Sequence, residues 1–382
     1  MIFLILSQII PDEYIIRFKD SASKEKFIRN YRQIVKKEVY GLNAVVIKTK
    51  DISQIQKTSD ILYIQNAINY KIFFNPNDSL YKYQYNAYIT YLDKAWDITQ
   101  GSLSVGIAVV DQGVDYQHPD LALQFDPVNK GYDFVNNDND PLPNKNITTE
   151  IHGTHVAGII SATMNNLIGI AGVGNFRLYS YRVCDTIGNC PDYNVASGII
   201  MASKNPNVRV INLSLGSPIG SNTIKEAIDS AIKYNKIVVA AAGNDGSFVN
   251  YPAAYDSVIA VGAWDTTSQK ANFSSWGKEL DIMAPGVWIL STINSNLQAN
   301  NSCGMNEVFI GYGCLTGTSM ATPFISGVIG LILSIKPNLN FNQIRDILCT
   351  SAEDVGDPGF DEKTGCGLVN VYKALIKAQQ FQ

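Results

Sequence analysis

Beyond about residue 77, five short apolar runs alternate with segments of helical length, and this pattern constrains the fold more than any other feature. The runs predict strands buried on both faces, at residues 104–110, 178–183, 208–213, 237–242 and 258–262. Helices are predicted at residues 152–163, 192–204, 221–234, 319–335 and 341–349. Such alternation is typical of an α/β protein whose parallel sheet is covered by helices on both faces. Functional residues then gather at the carboxyl ends of the strands.

The first 77 residues follow a different pattern. They predict a strand over 14–18, a helix over 21–32, strands over 34–40 and 43–49, a short helix over 51–58 and a strand over 62–68. This β-α-β-β-α-β order indicates a small α+β, ferredoxin-like domain. Residues 69–77 form an extended connector, so we expect one domain over 11–72 and another over 77–382. Residues 1–10 are apolar apart from Ser7 and Gln8, and we expect a short or truncated signal segment there.

Composition and charge exclude several classes of protein. With 46% hydrophobic and 17% charged residues, the chain is a packed globular protein. Residues 1–77 carry 12 Lys or Arg against 7 Asp or Glu, and the rest carries 18 against 27. Either this split is chance scatter over solvated faces, or a basic first domain docks on an acidic second one. No basic stripe with aromatics indicates a nucleic-acid partner, and no apolar stretch is long enough to predict a membrane span.

Four short motifs carry residues with catalytic chemistry. Asp111 ends the first apolar strand of the larger domain, His152 opens a helix in HGTHVAG, Ser319 begins a long apolar helix in GTSMATP, and Asn244 follows a buried strand in AAAGN. Taken singly, each has an ordinary explanation as a turn residue or a helix cap. Together they supply a nucleophile, a base, a carboxylate to orient the base, and an amide donor for an oxyanion.

These motifs and their order resemble those of the subtilisin-like serine proteases (subtilases), in particular the subtilisin, thermitase and proteinase K branches. The resemblance covers residues 77–377 and implies a three-layer fold with a mostly parallel central sheet. It implies a serine endopeptidase that works through an acyl-enzyme, with Ser319 as nucleophile, His152 as base, Asp111 as its partner and His155 as a structural residue. Asn244 and the backbone N–H of Ser319 then form the oxyanion hole.

The same resemblance implies a peptide or protein substrate and assigns residues to bind it. The segment Ser214, Leu215 and Gly216 is expected to pair with the substrate main chain as an added strand. The primary side-chain pocket is expected to be lined by Ala241, Ala242, Gly243 and, near its base, Asn250. Because none of these residues is acidic, we expect broad degradative specificity with a preference for apolar or mixed side chains.

Calcium is the cofactor that the resemblance implies, in a structural role. The expected site takes side-chain oxygens from Asp78, Asp120 and Asn166, and main-chain carbonyls from Thr163, Ile168 and Ile170. A second, weaker candidate lies in the acidic loop at Asp133, Asn136, Asp138 and Asp140.

Residues 11–72 resemble the inhibitory propeptide of the family, which assists folding, blocks the cleft and is removed by the enzyme itself. We therefore expect a zymogen that is cut between Asn69 and Asn77, and a monomer after processing.

The six cysteines fall into three close pairs, and disulfides between neighbours would suit an oxidising compartment, with free buried thiols as the alternative. The pairs are Cys184 with Cys190, Cys303 with Cys314, and Cys349 with Cys366. We expect a secreted protein or one of a secretory or lysosomal compartment. Glycosylation sequons occur at Asn77, Asn146, Asn272 and Asn300, and a fifth at Asn212 is expected to be buried and unmodified.

Two other functions stay open at this point. A catalytically inactive binding protein could keep the fold, although such proteins usually lose a residue that this chain retains. A metal-dependent hydrolase could use His152 and His155, three residues apart, but no HExxH glutamate or nearby cysteine supports a zinc site.

Overall fold

The computed structural model describes residues 9–69, 74–267, 269–298, 303 and 309–381. Residues 1–8, most of the expected signal segment, lie outside this part, as do residues 70–73 of the connector and the sequon at Asn300. The chain divides into two compact units, residues 1–73 and 74–382.

Over residues 9–69, the first unit consists of a four-stranded antiparallel sheet and one α-helix. Its elements are β1 (Ile9–Phe18), α1 (Ser21–Tyr31), β2 (Val35–Glu38), β3 (Ala44–Lys48) and β4 (Ile61–Ile68). The strand order is β2-β3-β1-β4. Asp20 caps α1 by accepting a hydrogen bond from the Ser23 N–H at 2.7 Å. Phe27 of α1 packs on the sheet residues Ile16 and Ile47.

One prediction for this unit is wrong. Residues 51–58 form only a 3-10 turn at Ile52–Gln54, because the Asp51 side chain binds the Ser53 N–H and the chain is extended again at Ile55. So short a segment cannot recover the cost of nucleating a helix. β1 is longer than predicted, and its first residue, Ile9, pairs with Ile68.

Among the described residues, the second unit is built on seven parallel strands, and five of them lie at the predicted apolar runs. The strands are β5 (Gly106–Asp111), β6 (Gly131–Asp133), β7 (Arg177–Arg182), β8 (Val208–Leu213), β9 (Ile237–Ala241), β10 (Ile259–Trp264) and β11 (Ile282–Pro285). Their order is β11-β10-β9-β8-β5-β7-β6. The chain moves from β5 to β7 on one side and to β8 on the other, so the carboxyl end of β5 is the switch point where α/β sheets bind ligands.

Helices cover both faces of this sheet, which confirms the three-layer α/β fold. They are α2 (Tyr85–Ile89), α3 (Leu92–Ala95), α4 (His152–Ser161), α5 (Asp192–Lys204), α6 (Asn222–Lys233), α7 (Thr318–Ile335), α8 (Phe341–Ser351) and α9 (Val371–Gln380). Helices α4 and α7 pack together, and α5 and α6 form another pair. A separate hairpin consists of β12 (Ile289–Thr292) and β13 (Tyr312–Leu315).

Helix α7 is apolar on nearly all sides because it is the central core helix. Within the described ranges it alone has the length and hydropathy of a membrane span, yet most of it is buried among the sheet and neighbouring helices. The three neighbouring cysteine pairs form disulfides, Cys184–Cys190, Cys303–Cys314 and Cys349–Cys366, so the alternative of free thiols is wrong.

Candidate active site

The first two site residues meet where β5 ends and α4 begins. The His152 Nδ1–H donates to Asp111 Oδ1 at 2.8 Å. A Cβ on Gly153 would lie 2.1 Å from the carbonyl oxygen of Gly113, so only glycine lets the start of α4 approach the loop after β5 so closely. Asp111 is buried, whereas the His152 side chain is 30% exposed. The hydrogen bond fixes the imidazole tautomer and leaves Nε2 free to accept a proton.

The environment of His152 favours its protonated form. Burial by itself lowers the pKa of His152, but the negative charge of Asp111 and its hydrogen bond outweigh that effect, so the net pKa lies above its usual value. An imidazolium at this position is therefore stabilised, as a base that must hold a proton during a reaction requires.

His155 is engaged differently. Its Nε2–H donates to the carbonyl oxygens of Ile289 at 2.9 Å and Gly313 at 3.2 Å, and burial lowers its pKa to about 3. The neutral ring thus ties α4 to the β12–β13 hairpin. This engagement argues against a two-histidine metal site, and no group of three or more His, Cys, Asp or Glu side chains forms a metal site in the described ranges.

Ser319 is fixed at the same edge of the sheet by a reciprocal pair of hydrogen bonds. Pro323 lies in the first turns of α7 and has no N–H, so the Ser319 carbonyl lacks its helical partner. The Ser214 hydroxyl donates to that carbonyl at 2.9 Å, and the Ser319 hydroxyl donates to the Ser214 carbonyl at 3.1 Å. Ser214 directly follows β8, so the sheet itself positions Ser319.

Two donors at the start of α7 are left free. The Asn244 Oδ1 accepts hydrogen bonds from the N–H and the hydroxyl of Thr318, both at 2.9 Å. Its Nδ2 therefore faces away from Thr318 and has no acceptor within the described ranges, and the same holds for the Ser319 N–H. Free N–H groups at a helix N-terminus are suited to bind a negatively charged oxygen.

An open cleft of about 990 Å³ runs along this edge. Five of the expected site residues line it, namely Asp111, His152, Ser214, Leu215 and Gly216. The backbone groups of Leu215 and Gly216 make no hydrogen bond to any other described residue, so they form an unpaired edge that an extended peptide could join.

The expected pocket residues lie beside this cleft rather than in its lining. A Cβ on Gly216 would lie 3.5 Å from the Asn250 Cβ and 3.9 Å from the Ala241 carbonyl oxygen, and Asn250 N–H donates to Ala242 O at 2.8 Å. Gly243 has φ +114, and a Cβ there would lie 2.6 Å from Asn250 Nδ2. Ala241, Ala242, Gly243 and Asn250 are therefore neighbours of residues 214–216.

Sequence reasoning missed two features of the site. Asp245 accepts a hydrogen bond from Asn250 Nδ2 at 2.9 Å, so an acidic group does lie near the expected base of the pocket. The cleft is also lined by the loop between Cys184 and Cys190 and by Tyr251, Pro252 and Tyr255. The close cysteine pair was the only sequence signal for that loop.

The expected calcium residues come together in a pocket of negative charge. Asp120 accepts hydrogen bonds from Asn166 Nδ2 at 2.6 Å, the Ile170 N–H at 3.0 Å and the Tyr312 hydroxyl at 3.2 Å. Asp78 accepts from the Asn166 N–H at 3.3 Å. Burial, with a smaller effect from the charge of Asp78, raises the pKa of Asp120 to about 6.

This arrangement fits a hard cation. Among the described residues, neither Asp78 nor Asp120 has a Lys or Arg partner. The carbonyls of Thr163, Ile168 and Ile170 accept no hydrogen bond from those residues either. The Asn166 side-chain amide nitrogen donates to Asp120. The side-chain amide would therefore have to rotate by about half a turn before its oxygen could bind a cation. Carboxylate and carbonyl oxygens are the ligands that calcium takes.

In the second candidate calcium site, Asp133 is paired with an arginine. Asp133 Oδ2 accepts from Arg182 Nη1 at 2.7 Å, and Arg182 Nη2 donates to Glu150 Oε1 at 2.8 Å. All three side chains are buried, and the two carboxylates share one guanidinium. The amide of Asn136 also donates to Asp133, at 3.0 Å. Asp138 and Asp140 bind loop N–H and hydroxyl groups. This loop is therefore stabilised by an ion pair.

Comparison with known proteins agrees with the geometry. The model of the subtilase family matches residues 103–367. The chain is 36% identical to the thermophilic serine proteinase of Bacillus sp. (strain AK1) over 96% of this chain and 88% of that protein. It is 35% identical to subtilisin E of Bacillus subtilis (strain 168) over 95% of this chain and 90% of that protein. A solved protease structure from Pseudoalteromonas arctica superposes with a TM-score of 0.69 at 29% identity, covering 80% of this chain and all of that one. The chain therefore belongs to the subtilase family and is a subtilisin-like serine endopeptidase.

Proposed function

We propose that Ser319, His152 and Asp111 form the catalytic triad. The hydrogen bond of Asp111 to His152 Nδ1 carries this proposal, because it leaves Nε2 free beside the cleft. Rotation of the Ser319 hydroxyl from the Ser214 carbonyl to His152 Nε2 would let the imidazole take its proton as the oxygen attacks the scissile carbonyl. The imidazolium, stabilised by Asp111, then protonates the leaving amine, and water hydrolyses the acyl-enzyme by the same steps.

The two free donors at the start of α7 are assigned to the oxyanion. Asn244 Nδ2 and the Ser319 N–H would bind the negative oxygen of each tetrahedral intermediate. The contacts of Asn244 Oδ1 with Thr318 support this assignment, because they hold the amide in one orientation before substrate binds.

Labelling by a fluorophosphonate tests the triad and separates it from the inactive alternative. The processed protein should be labelled and should cleave peptides, and Ser319→Ala should abolish both. The variant Ser104→Ala is a useful control because it removes the hydroxyl of an exposed serine outside the cleft lining. If the processed wild-type protein is neither labelled nor active, it is an inactive binding protein.

The first unit is proposed to be the inhibitory propeptide, so the chain is an autoprocessed zymogen. Its α+β sheet of four strands supports this assignment. Wild-type protein should be cut between Asn69 and Asn77, as read by N-terminal sequencing, whereas Ser319→Ala should stay uncut. The separately expressed segment 11–72 should inhibit the processed enzyme. A mature N-terminus elsewhere would overturn the assigned boundary.

Broad degradative specificity is proposed for the processed enzyme. Substrates would add a strand to residues 214–216 and place one side chain against Ala241, Ala242, Gly243 and Asn250. A peptide-library profile measures the preference of this pocket. A strict requirement for Lys or Arg would contradict broad specificity and would assign Asp245 the controlling role.

We further propose that calcium binds at Asp78, Asp120 and Asn166 with the carbonyls of Thr163, Ile168 and Ile170, and that the enzyme acts outside the cell as a monomer. Bound calcium would supply positive charge and connect the loops that carry these residues. Three disulfides support an oxidising compartment. Calorimetric titration with calcium tests metal binding. Fractionation of the producing cells tests the location, and light scattering tests the monomeric state.

A further inference from the structure

A series of buried polar side chains connects the core of the catalytic unit to Ser319. The Ser326 hydroxyl donates to Asn212 Oδ1 at 2.8 Å, and Asn212 Nδ2 donates to Ser214 Oγ at 3.0 Å. The Ser214 hydroxyl in turn donates to the Ser319 carbonyl at 2.9 Å. Ser326 and Asn212 are fully buried, and Ser214 is only 4% exposed. We define the support chain as Ser326, Asn212 and Ser214.

Two regular elements bring these residues into line. Asn212 lies in β8 and Ser214 directly follows that strand, so their side chains point to the same face of an extended segment. Ser319 and Ser326 are seven residues apart in α7, about two helical turns, so they also share a face. Helix α7 packs against β8. Both ends of the support chain therefore belong to rigid elements of the core.

An asparagine at position 212 is exceptional among its neighbours. The residues opposite it on the two adjacent strands are Val109 and Val239, and both are fully buried. A buried amide costs free energy unless it is hydrogen-bonded, whereas an apolar side chain carries no such cost. Burial also makes the Asn212 sequon inaccessible to glycosylation, as expected. The amide contributes a group that accepts a hydrogen bond at one end and donates one at the other.

Ser326 gives the support chain its direction. Helical serines commonly donate to the carbonyl four residues earlier, as the buried Ser203 does at 2.6 Å. The Ser326 hydroxyl donates instead to Asn212 Oδ1, in another element. Because that oxygen is occupied, the amide nitrogen of Asn212 faces Ser214. Ser214 Oγ accepts from this nitrogen, and so its own hydrogen is directed to the Ser319 carbonyl.

The last hydrogen bond of the support chain restrains the residue that carries both proposed reacting groups. The Ser319 carbonyl lacks a helical partner because of Pro323, and Ser214 supplies the missing donor. The Ser319 hydroxyl and the Ser319 N–H belong to the same residue, so fixing its carbonyl limits the directions of both groups. Small displacements of reacting groups lower rates strongly, so such a restraint has a catalytic effect.

We propose that Asn212 and Ser326 are positioning residues, which act through Ser214 to orient the hydroxyl and the N–H of Ser319 before substrate binds. This inference rests on the proposed triad and oxyanion hole. Asn212 and Ser326 are fully buried and cannot touch a substrate. Their loss should therefore lower kcat and leave KM nearly unchanged, because it weakens interactions made in the transition state.

Steady-state kinetics of Ser326→Ala test the inference, with the active sites of each processed sample counted by fluorophosphonate labelling. This variant should lower kcat by about fivefold and keep KM within about twofold of the wild-type value. Asn212→Leu, similar in size but without hydrogen-bonding groups, should lower kcat by about tenfold. The matched control Ser203→Ala removes a buried helical hydroxyl outside the support chain and should keep the wild-type kcat.

A double-mutant cycle separates positioning from a general loss of packing. Ser214→Ala interrupts the support chain next to Ser319, so adding Ser326→Ala to it should lower kcat by less than about 1.5-fold more. A packing effect of Ser326→Ala would lower kcat equally in both backgrounds, and that result would overturn the inference. An unchanged kcat in the single variant Ser326→Ala would overturn it as well, even if Asn212→Leu fails to fold. If wild-type protein is not labelled, the proposed function itself fails.

Discussion

Replacement of Arg182 by methionine should destabilise the catalytic unit strongly. Arg182 makes two ion-paired hydrogen bonds, to Asp133 at 2.7 Å and Glu150 at 2.8 Å, and its side chain is only 6% exposed. Arg182→Met removes both bonds and leaves two buried carboxylates without a cation. Each charge-assisted bond contributes about 1.5–3 kcal/mol. The expected loss is therefore about 3–6 kcal/mol, in line with the cost of breaking a buried ion pair.

Thermal unfolding followed by tryptophan fluorescence measures this loss in the right part of the chain, because all four tryptophans lie beyond residue 74. A Ser319→Ala background prevents self-digestion. At about 2 °C for each kcal/mol in a unit of this size, the midpoint should fall by about 6–12 °C. The control Lys225→Met breaks an exposed pair with Asp229 and should cost less than about 1 kcal/mol.

A compensating variant separates lost charge balance from lost packing. Adding Asp133→Asn and Glu150→Gln to Arg182→Met removes the uncompensated charges and should recover at least half of the loss. A midpoint shift below 2 °C in the single variant, or no recovery in the triple variant, would refute the reasoning.

Three further predictions concern catalysis and calcium. Asn244→Ala should lower kcat by about 10²–10³-fold with little change in KM, the size known for the corresponding asparagine of subtilisin; an unchanged kcat in steady-state assays would remove Asn244 from the oxyanion hole. Activity needs neutral His152, so kcat/KM should rise with pH through a pKa above the usual histidine value. Asp111→Asn should lower kcat and shift this rise of kcat/KM to lower pH. The reason is that the charge of Asp111 no longer raises the pKa of His152, whereas burial still lowers it. Removal of calcium by a chelator should lower the unfolding midpoint by about 8 °C if the site was saturated a thousandfold above its Kd. Asp120→Asn should abolish that calcium effect, and an equal chelator effect in the variant would place the metal elsewhere.

The main sheet could be predicted because each of its long central strands is buried on both faces and therefore appears as a continuous apolar run. The short elements could not. Strands β11, β12 and β13 each have four residues, and β13 (YGCL) contains no pattern of its own. These short strands form because a neighbouring strand pairs with them, and a short stretch of sequence does not contain that neighbour. Helix α9 was missed although it is amphipathic, and the helix predicted over 51–58 is a single turn.

The site residues at strand ends and helix starts could also be predicted from the sequence, because the topology brings such positions to one edge of the sheet. The contacts between these residues could not be predicted. The pairing of Ser214 with Ser319 depends on Pro323 leaving a carbonyl free, and Arg182 is 49 residues from Asp133 in sequence. Their ion pair follows from the register of β6 on β7, which makes these two residues direct partners. The acidic loop considered alone therefore gave no indication that Asp133 is paired with an arginine.

The two acidic clusters of the catalytic unit are balanced in different ways, and this difference has a functional consequence. The cluster next to His152 contains Glu150, and Arg182, which is covalently part of the chain, forms ion pairs with both Glu150 and Asp133. The cluster of Asp78 and Asp120 has no such partner in the described ranges, and under the proposed calcium binding its balancing charge comes from solution. Removal of calcium should therefore loosen the loops around Asp78 and Asn166 while the segment before His152 keeps its geometry. Below its lowered unfolding midpoint, the calcium-free enzyme should retain most of its kcat and lose mainly thermal stability.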